Sequence, residues 1–162
     1  MKTHDHLIVL VCTGNICRSP MAEYLLRHRL SENTTWAVAS AGVFAMDGAP
    51  ASLEAVHALA DLGVDGSGHR SHMLTLDLIE SATLLAVMTD SHKQQILSHF
   101  PEAAGKVFRL TEFGVGGAGE DIADPIGQSV NVYRQTRDQI DRALPDLILY
   151  MKEHWGLSEP SS

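Results

Sequence analysis

Eight residues near the start of the chain, CTGNICRS at positions 12–19, carry the side chains best suited to chemistry. A cysteine thiolate is a strong nucleophile, and an arginine can donate two parallel hydrogen bonds to a tetrahedral oxyanion, which a lysine cannot. Cys12 is therefore a candidate nucleophile, and Arg18, six positions later, is a candidate anion-binding residue. Ser19 can cap a following helix or donate its hydroxyl to the sulfur.

The sequence on either side of this loop predicts elements that would position it for such chemistry. The continuous apolar run HLIVLVC (6–12) predicts a strand buried on both faces, and helical spacing of apolar residues begins at Pro20. A strand, a short polar loop and a helix N-terminus together bind anions, because backbone N–H groups point inward and the helix dipole adds positive charge. The same field favours a thiolate.

Two residues of the loop suit a tight backbone path. Gly14 permits a geometry that other residues resist, and Asn15 is the non-glycine residue that most readily adopts a left-handed conformation. The residues predicted to surround a bound anion are Thr13, Gly14, Asn15, Ile16, Cys17 and Ser19.

The rest of the chain alternates between strand and helix patterns. Strands are predicted at 6–12, 35–42, 82–88 and 106–110, and helices from Pro20, at 51–63, 75–80 and 90–100, and from Ser129, with Pro145 either kinking the last helix or starting a second segment. This alternation predicts an α/β fold: a single domain with a four-stranded parallel sheet, helices on both faces, and the anion loop between the first strand and the first helix. The domain is expected to span residues 1–156, followed by a disordered tail at 157–162.

Composition limits the partners and the compartment. Twelve basic against twenty acidic residues give a formal charge of −8 over 162 residues, so neither a nucleic acid nor a membrane is an expected partner. The apolar run at 7–11 is too short for a secretion signal, and no stretch approaches the roughly 20 apolar residues of a membrane span. We therefore expect a cytoplasmic protein with reduced cysteines, in which thiol reactivity matters more than crosslinking.

The loop, with SAG at 40–42 and DP at 124–125, resembles the low-molecular-weight protein-tyrosine-phosphatase family. The segments SAGVFA, AVMTDSHKQQI and YRQTRDQ are most similar to the bacterial branch that includes protein-arginine phosphatases. The resemblance implies that Cys12 attacks phosphorus, that Arg18 binds the phosphate, and that Asp124 is the general acid and base. It also implies phosphorylated protein substrates, no cofactor or metal, and a monomer or weak dimer.

The same resemblance assigns supporting roles. Ser40 and His69 match family residues that hydrogen-bond Asn15 and hold its unusual conformation. Cys17 matches a second cysteine that can form a protective disulfide with Cys12, and its other interpretation is a small loop residue.

Other functions explain fewer of these residues. An arsenate reductase would need cysteines downstream of residue 17, and the chain has none. A silent phosphate-binding module would not need a nucleophile, an arginine and an acid together.

GVGGAG (114–119) matches a dinucleotide motif, but EDIADPIG follows it where a helix should begin, so we interpret it as a flexible loop that lets Asp124 move. The histidine pairs His4/His6 and His69/His72 lack a glutamate at metal-ligand spacing, and Asp121 is a nearby competitor for the role of acid.

The substrate depends on the least polar residue of the loop. Ile16 lies where the tyrosine phosphatases of the family carry a bulky aliphatic residue and the arginine phosphatases typically a threonine. An apolar group beside the phosphate suits a phenyl ring better than a guanidinium, which is costly to desolvate unpaired. Ile126 replaces the aromatic residue that usually follows the Asp-Pro pair, and Phe44 and Met46 are candidates for the opposite wall. We therefore expect phosphotyrosine as the substrate, with phosphoarginine as the alternative.

Overall fold

The apolar run after residue 5 forms an inner strand of a parallel sheet. The computed structural model describes residues 4–114 and 119–158. Its strands are β1 (His6–Cys12), β2 (Trp36–Gly42), β3 (Leu84–Val87) and β4 (Val107–Arg109), and its α-helices are α1 (Arg18–Arg29), α2 (Leu53–Ala60), α3 (Leu76–Ser81), α4 (Asp90–His99) and α5 (Val130–Trp155). The strand order is β2-β1-β3-β4, with every pairing parallel. The predicted four-stranded parallel sheet is thus confirmed.

Alternate residues of β1 face two separate apolar layers. Ile8, Leu10 and Cys12 belong to the larger core cluster, which includes residues of α1, α2 and α5. Val9 and Val11 belong to the second cluster, which includes residues of α3 and α4. Helices therefore cover both faces, as predicted, and β1 is buried on both sides. The carboxyl end of β1 opens into the loop that begins at Cys12.

Helix α1 begins two residues before the predicted start. Its first residue is Arg18, and its N-cap residue is Cys17, whose side chain makes no capping hydrogen bond. The prediction of Ser19 as the N-cap is wrong, because the Ser19 hydroxyl lies inside the helix start and bonds to Cys12 and Asn15 instead. Pro20 is accordingly the third helical residue, still within the first turn, where its missing N–H costs nothing.

Helix α5 runs through Pro145 without a break. A proline inside a helix removes a hydrogen bond to the carbonyl four residues earlier, which here belongs to Asp141. That carbonyl accepts instead from Arg29 Nη2 at 3.4 Å, and Pro145 lies on the exposed face of the helix. The predicted second segment is therefore not formed.

The two chain segments expected to be loose are only partly described. Residues 115–118 of the GVGGAG sequence and residues 159–162 of the expected tail lie outside the described residues. The first residues of that tail are held: Leu157 packs against the larger core cluster, and the Ser158 N–H donates to Thr35 Oγ1 at 2.8 Å. In the part of the chain that is described, no helix has both the length and the apolar character needed to cross a bilayer.

Candidate active site

The loop after β1 places a sulfur and a hydroxyl in contact. Cys12 is 2% exposed, and its Sγ lies 2.9 Å from Ser19 Oγ. Asn15 Nδ2 donates to the same hydroxyl oxygen at 2.8 Å. Because that amide occupies a lone pair of the oxygen, the Ser19 proton is available to the sulfur. A hydroxyl donated to a thiolate is a charge-assisted hydrogen bond, which stabilises the nucleophilic form.

Asn15 adopts a left-handed conformation, with φ of 57°, and no other non-glycine residue with positive φ occurs among the described residues. Its side chain is fully buried and bonded on both ends: Nδ2 also donates to Ser40 Oγ at 2.9 Å, and Oδ1 accepts from the His72 N–H at 2.9 Å. The Asn15 carbonyl lies 2.7 Å from His69 Nε2. A carbonyl only accepts, so the His69 ring carries its proton on Nε2. These contacts hold a conformation that costs free energy on its own.

A buried carboxylate completes this network. Glu23 Oε1 accepts from Ser40 Oγ at 2.5 Å, and Glu23 Oε2 pairs with Arg27 Nη2 at 2.8 Å. Hydrogen bonds therefore run without interruption from Glu23 through Ser40, Asn15 and Ser19 to the sulfur of Cys12. Burial lowers the pKa of His69, against the opposing effects of the Asn15 carbonyl and Glu23, which keeps a second positive charge out of this network.

The glycine of SAG is required by the loop, whereas the glycine within the loop is not strained. A Cβ on Gly42 would lie 2.4 Å from the Thr13 carbonyl oxygen, so only glycine lets β2 approach the loop so closely. Gly14 does not have a positive φ, and a Cβ there would make an ordinary 3.8 Å contact with Ile16. The prediction that Gly14 supplies an unusual backbone geometry is therefore wrong, because Asn15 takes the left-handed position.

Arg18 is buried, and one nitrogen of its guanidinium has no partner among the described residues. Its side chain is 4% exposed; Nη1 donates to the Ile122 carbonyl at 2.8 Å and Nη2 to Thr13 Oγ1 at 3.4 Å. Nε has no partner among the described residues. Across residues 4–114 and 119–158, the N–H groups of residues 13 to 17 also donate to no protein acceptor. A buried donor such as Arg18 Nε needs an acceptor, and a tetrahedral anion in the loop would supply one to it and to the loop N–H groups.

Two aspartates of the 119–128 segment have different surroundings. Asp124 Oδ2 lies 3.5 Å from Arg18 Nη2, and its side chain is 40% exposed. Asp121 Oδ1 instead accepts from the Asp90 N–H at 2.9 Å and pairs with Arg109 at 3.2 Å. The hydrogen bond from Asp90, followed by the contact with Arg109, holds the pKa of Asp121 below its usual range. Asp121 is therefore fixed as an ionised structural carboxylate, while Asp124 faces the arginine of the loop.

A histidine that the sequence did not single out reaches the loop from α4. His92 Nε2 lies 2.9 Å from Thr13 Oγ1, and its ring is 3% exposed. Burial lowers the pKa of His92 to about 4, and the positive charge of Arg18 acts in the same direction. The imidazole is therefore neutral near pH 7. Its partner is 79 residues away in the chain, so no local pattern marks the contact.

Cys17 is enclosed on the core side of the loop. Its sulfur lies 3.2 Å from the Tyr133 hydroxyl and 3.8 Å from Ser52 Oγ. Burial raises the pKa of the Cys17 thiol, against these two hydrogen bonds, and burial likewise raises that of Tyr133. Both cysteines are free. Cys17 is thus held as a neutral thiol, and the disulfide with Cys12 stays a prediction.

The candidate substrate walls differ in exposure. Ile16 is partly buried and packs against the larger core cluster, with its backbone carbonyl accepting from the Ser52 N–H. Ile126, Phe44 and Met46 are 55%, 83% and 82% exposed. The Phe44 N–H donates to the Thr13 carbonyl at 2.9 Å, which joins that segment to the loop. Among the described residues, no group of three or more histidine, cysteine, aspartate or glutamate side chains could hold a metal ion.

The sequence did not single out two residues that contact the loop and one that supports it through Ser40. These are His92, which contacts Thr13, Tyr133, which contacts Cys17, and Glu23, which contacts Ser40. A signal existed for Glu23, which is four residues before Arg27 and so able to pair on one helix face. No comparable signal existed for the two contacts made over long sequence distances.

A parallel α/β sheet that ends in a cysteine-to-arginine anion loop, with an aspartate beside the arginine, is the arrangement of the cysteine-based phosphatases. The chain belongs to the low molecular weight phosphotyrosine protein phosphatase family, whose model matches residues 7–156. The resemblance drawn from the sequence is confirmed.

Three similar proteins illustrate the range of the family. The chain is 44% identical over 140 residues, 86% of this chain and 92% of the relative, to a protein-arginine-phosphatase of Geobacillus stearothermophilus. It is 42% identical over 137 residues, 85% and 90% of the two chains, to a probable low molecular weight protein-tyrosine-phosphatase of Ralstonia nicotianae. A solved cysteine-to-serine mutant of the YwlE arginine phosphatase, with a phosphorylated active site serine, superposes with a TM-score of 0.83 at 42% identity, covering 92% of this chain and 97% of that one.

Proposed function

We propose that the protein hydrolyses phosphotyrosine in proteins through a phosphocysteine formed on Cys12. The observation that carries this proposal is the loop itself: one buried sulfur within reach of a hydroxyl donor, a buried arginine with an unpartnered Nε, and N–H groups without protein acceptors. A solved relative, a cysteine-to-serine mutant with a phosphorylated active site serine, supports a covalent phosphoryl intermediate on an active-site cysteine.

In the first step, the Cys12 thiolate attacks phosphorus in line with the leaving tyrosine oxygen. The S–P bond forms and the P–O bond to tyrosine breaks, with the electron pair going to the phenolic oxygen. Arg18 and the loop N–H groups bind the three equatorial oxygens, on which negative charge is concentrated. The Asp124 carboxyl gives its proton to the leaving oxygen, so that a neutral phenol departs.

In the second step, water replaces the thiolate on phosphorus. The Asp124 carboxylate takes a proton from the attacking water, the new P–O bond forms, and the S–P bond breaks. Inorganic phosphate is released and the Cys12 thiolate is restored, with Ser19 donating to the sulfur as negative charge returns to it. Asp124 is proposed for this role over Asp121 because Asp121 is occupied by Asp90 and Arg109.

The preference for phosphotyrosine rests on Ile16. Its partly buried aliphatic side chain belongs to the loop that would bind the phosphate, and Ile126, two residues after Asp124, is also aliphatic. An aromatic ring can pack on such groups, whereas a guanidinium there would lose hydration without gaining hydrogen bonds. Phosphoarginine is the second candidate, because a relative 44% identical to this chain is a protein-arginine-phosphatase.

The experiment that tests this compares turnover of a phosphotyrosine peptide and a phosphoarginine peptide of the same flanking sequence. The variants are the wild type, Cys12→Ser and Ile16→Thr. We expect the wild type to favour phosphotyrosine, Cys12→Ser to lose at least about 10³-fold in kcat with both substrates, and Ile16→Thr to shift the ratio towards phosphoarginine.

Each arm can contradict the proposal separately. Activity retained by Cys12→Ser would exclude the phosphocysteine, and a wild type that favours phosphoarginine would remove the argument from Ile16. Binding of inorganic phosphate to Cys12→Ser, measured by calorimetry, serves as the control that the loop remains folded.

A further inference from the structure

His92 is a buried side chain that the proposed chemistry does not use. It is the third residue of α4 and 3% exposed, and its backbone N–H is capped by Thr89 Oγ1. Nε2 contacts Thr13 Oγ1 at 2.9 Å, while Nδ1 has no partner among the described residues. A ring nitrogen buried without a partner costs free energy, so the position is unlike that of a side chain selected only for packing.

Thr13 links this imidazole to the arginine of the loop. Its hydroxyl oxygen lies between His92 Nε2 at 2.9 Å and Arg18 Nη2 at 3.4 Å. A hydroxyl has one proton and two lone pairs. With one lone pair facing Arg18, the contact to His92 fixes the rotation of the hydroxyl and so the direction in which it meets the guanidinium.

Residues at and just before the start of α4 also bond to the segment that carries Asp124. The Asp90 N–H donates to Asp121 Oδ1, the Ile122 N–H donates to the Met88 carbonyl at 2.9 Å, and Arg18 Nη1 donates to the Ile122 carbonyl at 2.8 Å. His92 therefore lies close to both the arginine and the segment of the acid.

We propose that His92 is a positioning residue, which acts through Thr13 to hold the guanidinium of Arg18 in the orientation that binds phosphate. This inference rests on the proposed function and adds a residue to it. The imidazole would touch neither the substrate nor the reacting atoms.

The charge state of the ring is consistent with this role. Arg18 opposes protonation of His92, whereas the carboxylates of Asp124 and Asp121 favour it, and burial outweighs both carboxylates. The ring thus contributes a hydrogen bond to Thr13 without adding a second cation that would repel the guanidinium.

The test uses two replacements that keep one ring nitrogen position each. In His92→Gln the amide reaches the place of Nε2, and in His92→Asn it reaches the place of Nδ1. We expect His92→Ala to lower kcat/KM for the phosphotyrosine peptide about tenfold, the effect of one lost buried hydrogen bond. His92→Gln should recover most of that loss, and His92→Asn should not. His99→Ala, an exposed histidine of the same helix, is the matched control and should equal the wild type.

A second arm tests the route through Thr13. Thr13→Val should lower kcat/KM by a similar factor, and the double variant His92→Ala/Thr13→Val should be no worse than the poorer single variant, since both remove one shared contact. The inference is overturned if His92→Ala equals the wild type, if Asn rescues and Gln does not, or if the two losses multiply. The Gln and Asn pair and the Thr13 arm decide the question if His92→Ala does not fold.

Binding of inorganic phosphate, measured by calorimetry, separates this inference from the proposed function. We expect phosphate to bind His92→Ala about tenfold more weakly than the wild type. A wild type that binds phosphate but hydrolyses neither peptide would contradict the proposed function, while the comparison of dissociation constants would still judge His92. Equal dissociation constants for the wild type and His92→Ala would contradict the positioning role.

Discussion

The loop at 12–19 and the segment at 119–128 carry complementary groups, but the protein holds them very differently. In the loop, Asn15, Arg18 and Ser19 are buried, and their side chains bond to several distant parts of the chain. In the second segment, Ile122 and Pro125 are buried, whereas Asp124 is exposed and Ile126 is 55% exposed. Among the described residues, Asp124 Oδ1 accepts from the Ile126 N–H at 3.1 Å, and Asp124 Oδ2 lies 3.5 Å from Arg18 Nη2.

This difference matches the work that each region would do. Binding the charge of a transferring phosphoryl group is most effective when the donors are already oriented, because no reorganisation is then needed during the reaction. An acid that gives and later takes a proton must meet a leaving group and then a water. We infer that the buried hydrogen-bond network serves to fix the loop, and that the acid stays exposed so that it can meet both partners.

The largest effect on activity is expected from a change to Arg18, a buried residue of the loop. Arg18→Lys should lower kcat/KM about 10³-fold, or about 4 kcal/mol, because the three donors of a lysine lie on one nitrogen and cannot reproduce the parallel pair of bonds to two phosphate oxygens that a planar guanidinium can make. Phosphate binding should weaken in parallel. Arg29→Lys, which alters a partly exposed pair with Asp141, is the control. A loss below tenfold in Arg18→Lys would mean that the loop does not depend on the fixed guanidinium.

His92 and His69, which contact the loop, should make the free energy of unfolding depend on pH in the acidic range. His92 has a pKa of about 4 in the folded protein, against about 6.5 in an unfolded chain. The unfolded state therefore binds more protons between these two values, so the free energy of unfolding falls as the pH drops from 6.5 towards 4, by about 3 kcal/mol. His69, whose pKa is also lowered, acts in the same direction.

Denaturant unfolding at several pH values between 7 and 4.5 measures this effect. His92→Gln should flatten the curve, whereas His99→Gln, an exposed control, should not. Equal slopes for the wild type and His92→Gln would show that His92 becomes protonated in the folded protein as readily as in the unfolded chain. The lowered pKa values of Asp61, Asp65 and Asp121 act mainly below this window, because an aspartate of the unfolded chain takes up most of its protons below about pH 4.5.

The parts of this architecture that sequence could predict are those set by local pattern. Continuous apolar runs predict the buried strands, and the spacing from Cys12 to Arg18 predicts the loop. The fold class and the sides of the helices followed from the alternation of strand and helix. The position of Ser40 against Asn15 followed from the family resemblance and not from the local pattern.

What sequence could not predict depends on contacts between distant residues. Pro145 stays helical because Arg29, more than a hundred residues earlier, bonds to the carbonyl that proline leaves free. Helix α1 starts earlier than predicted, and Ser19 bonds to side chains of the loop instead of capping the helix. His92 reaches Thr13 only once α4 packs against β3 and β4. The contacts of Pro145's helix and of His92 join residues far apart in the chain, whereas for Ser19 bonds within the loop replace the helix cap.

A change to Asp124, in the exposed segment, should lower the activity less, and by an amount that depends on the substrate. Asp124→Asn should lower kcat about 10²-fold with a phosphotyrosine peptide, and less with an aryl phosphate whose leaving group needs no proton. Phosphate binding should change little, since the loop is intact. Asp121→Asn is the matched control, because its carboxylate faces Asp90 and Arg109. A larger loss in Asp121→Asn would reassign the acid.

The smallest expected effect tests whether the buried network supports the loop from a distance. Ser40→Ala removes the acceptor of Asn15 Nδ2 and the donor to Glu23 Oε1, so Asn15 should hold its left-handed conformation less firmly. We expect kcat/KM to fall about tenfold, and phosphate to bind more weakly, with the sulfur and the arginine both unchanged. Ser67→Ala, at an exposed serine bonded to Asp65, is the control. Because Ser40 touches neither Cys12 nor Arg18, a loss in Ser40→Ala would show that the network orders the loop, and wild-type activity would mean that the loop keeps its shape without it.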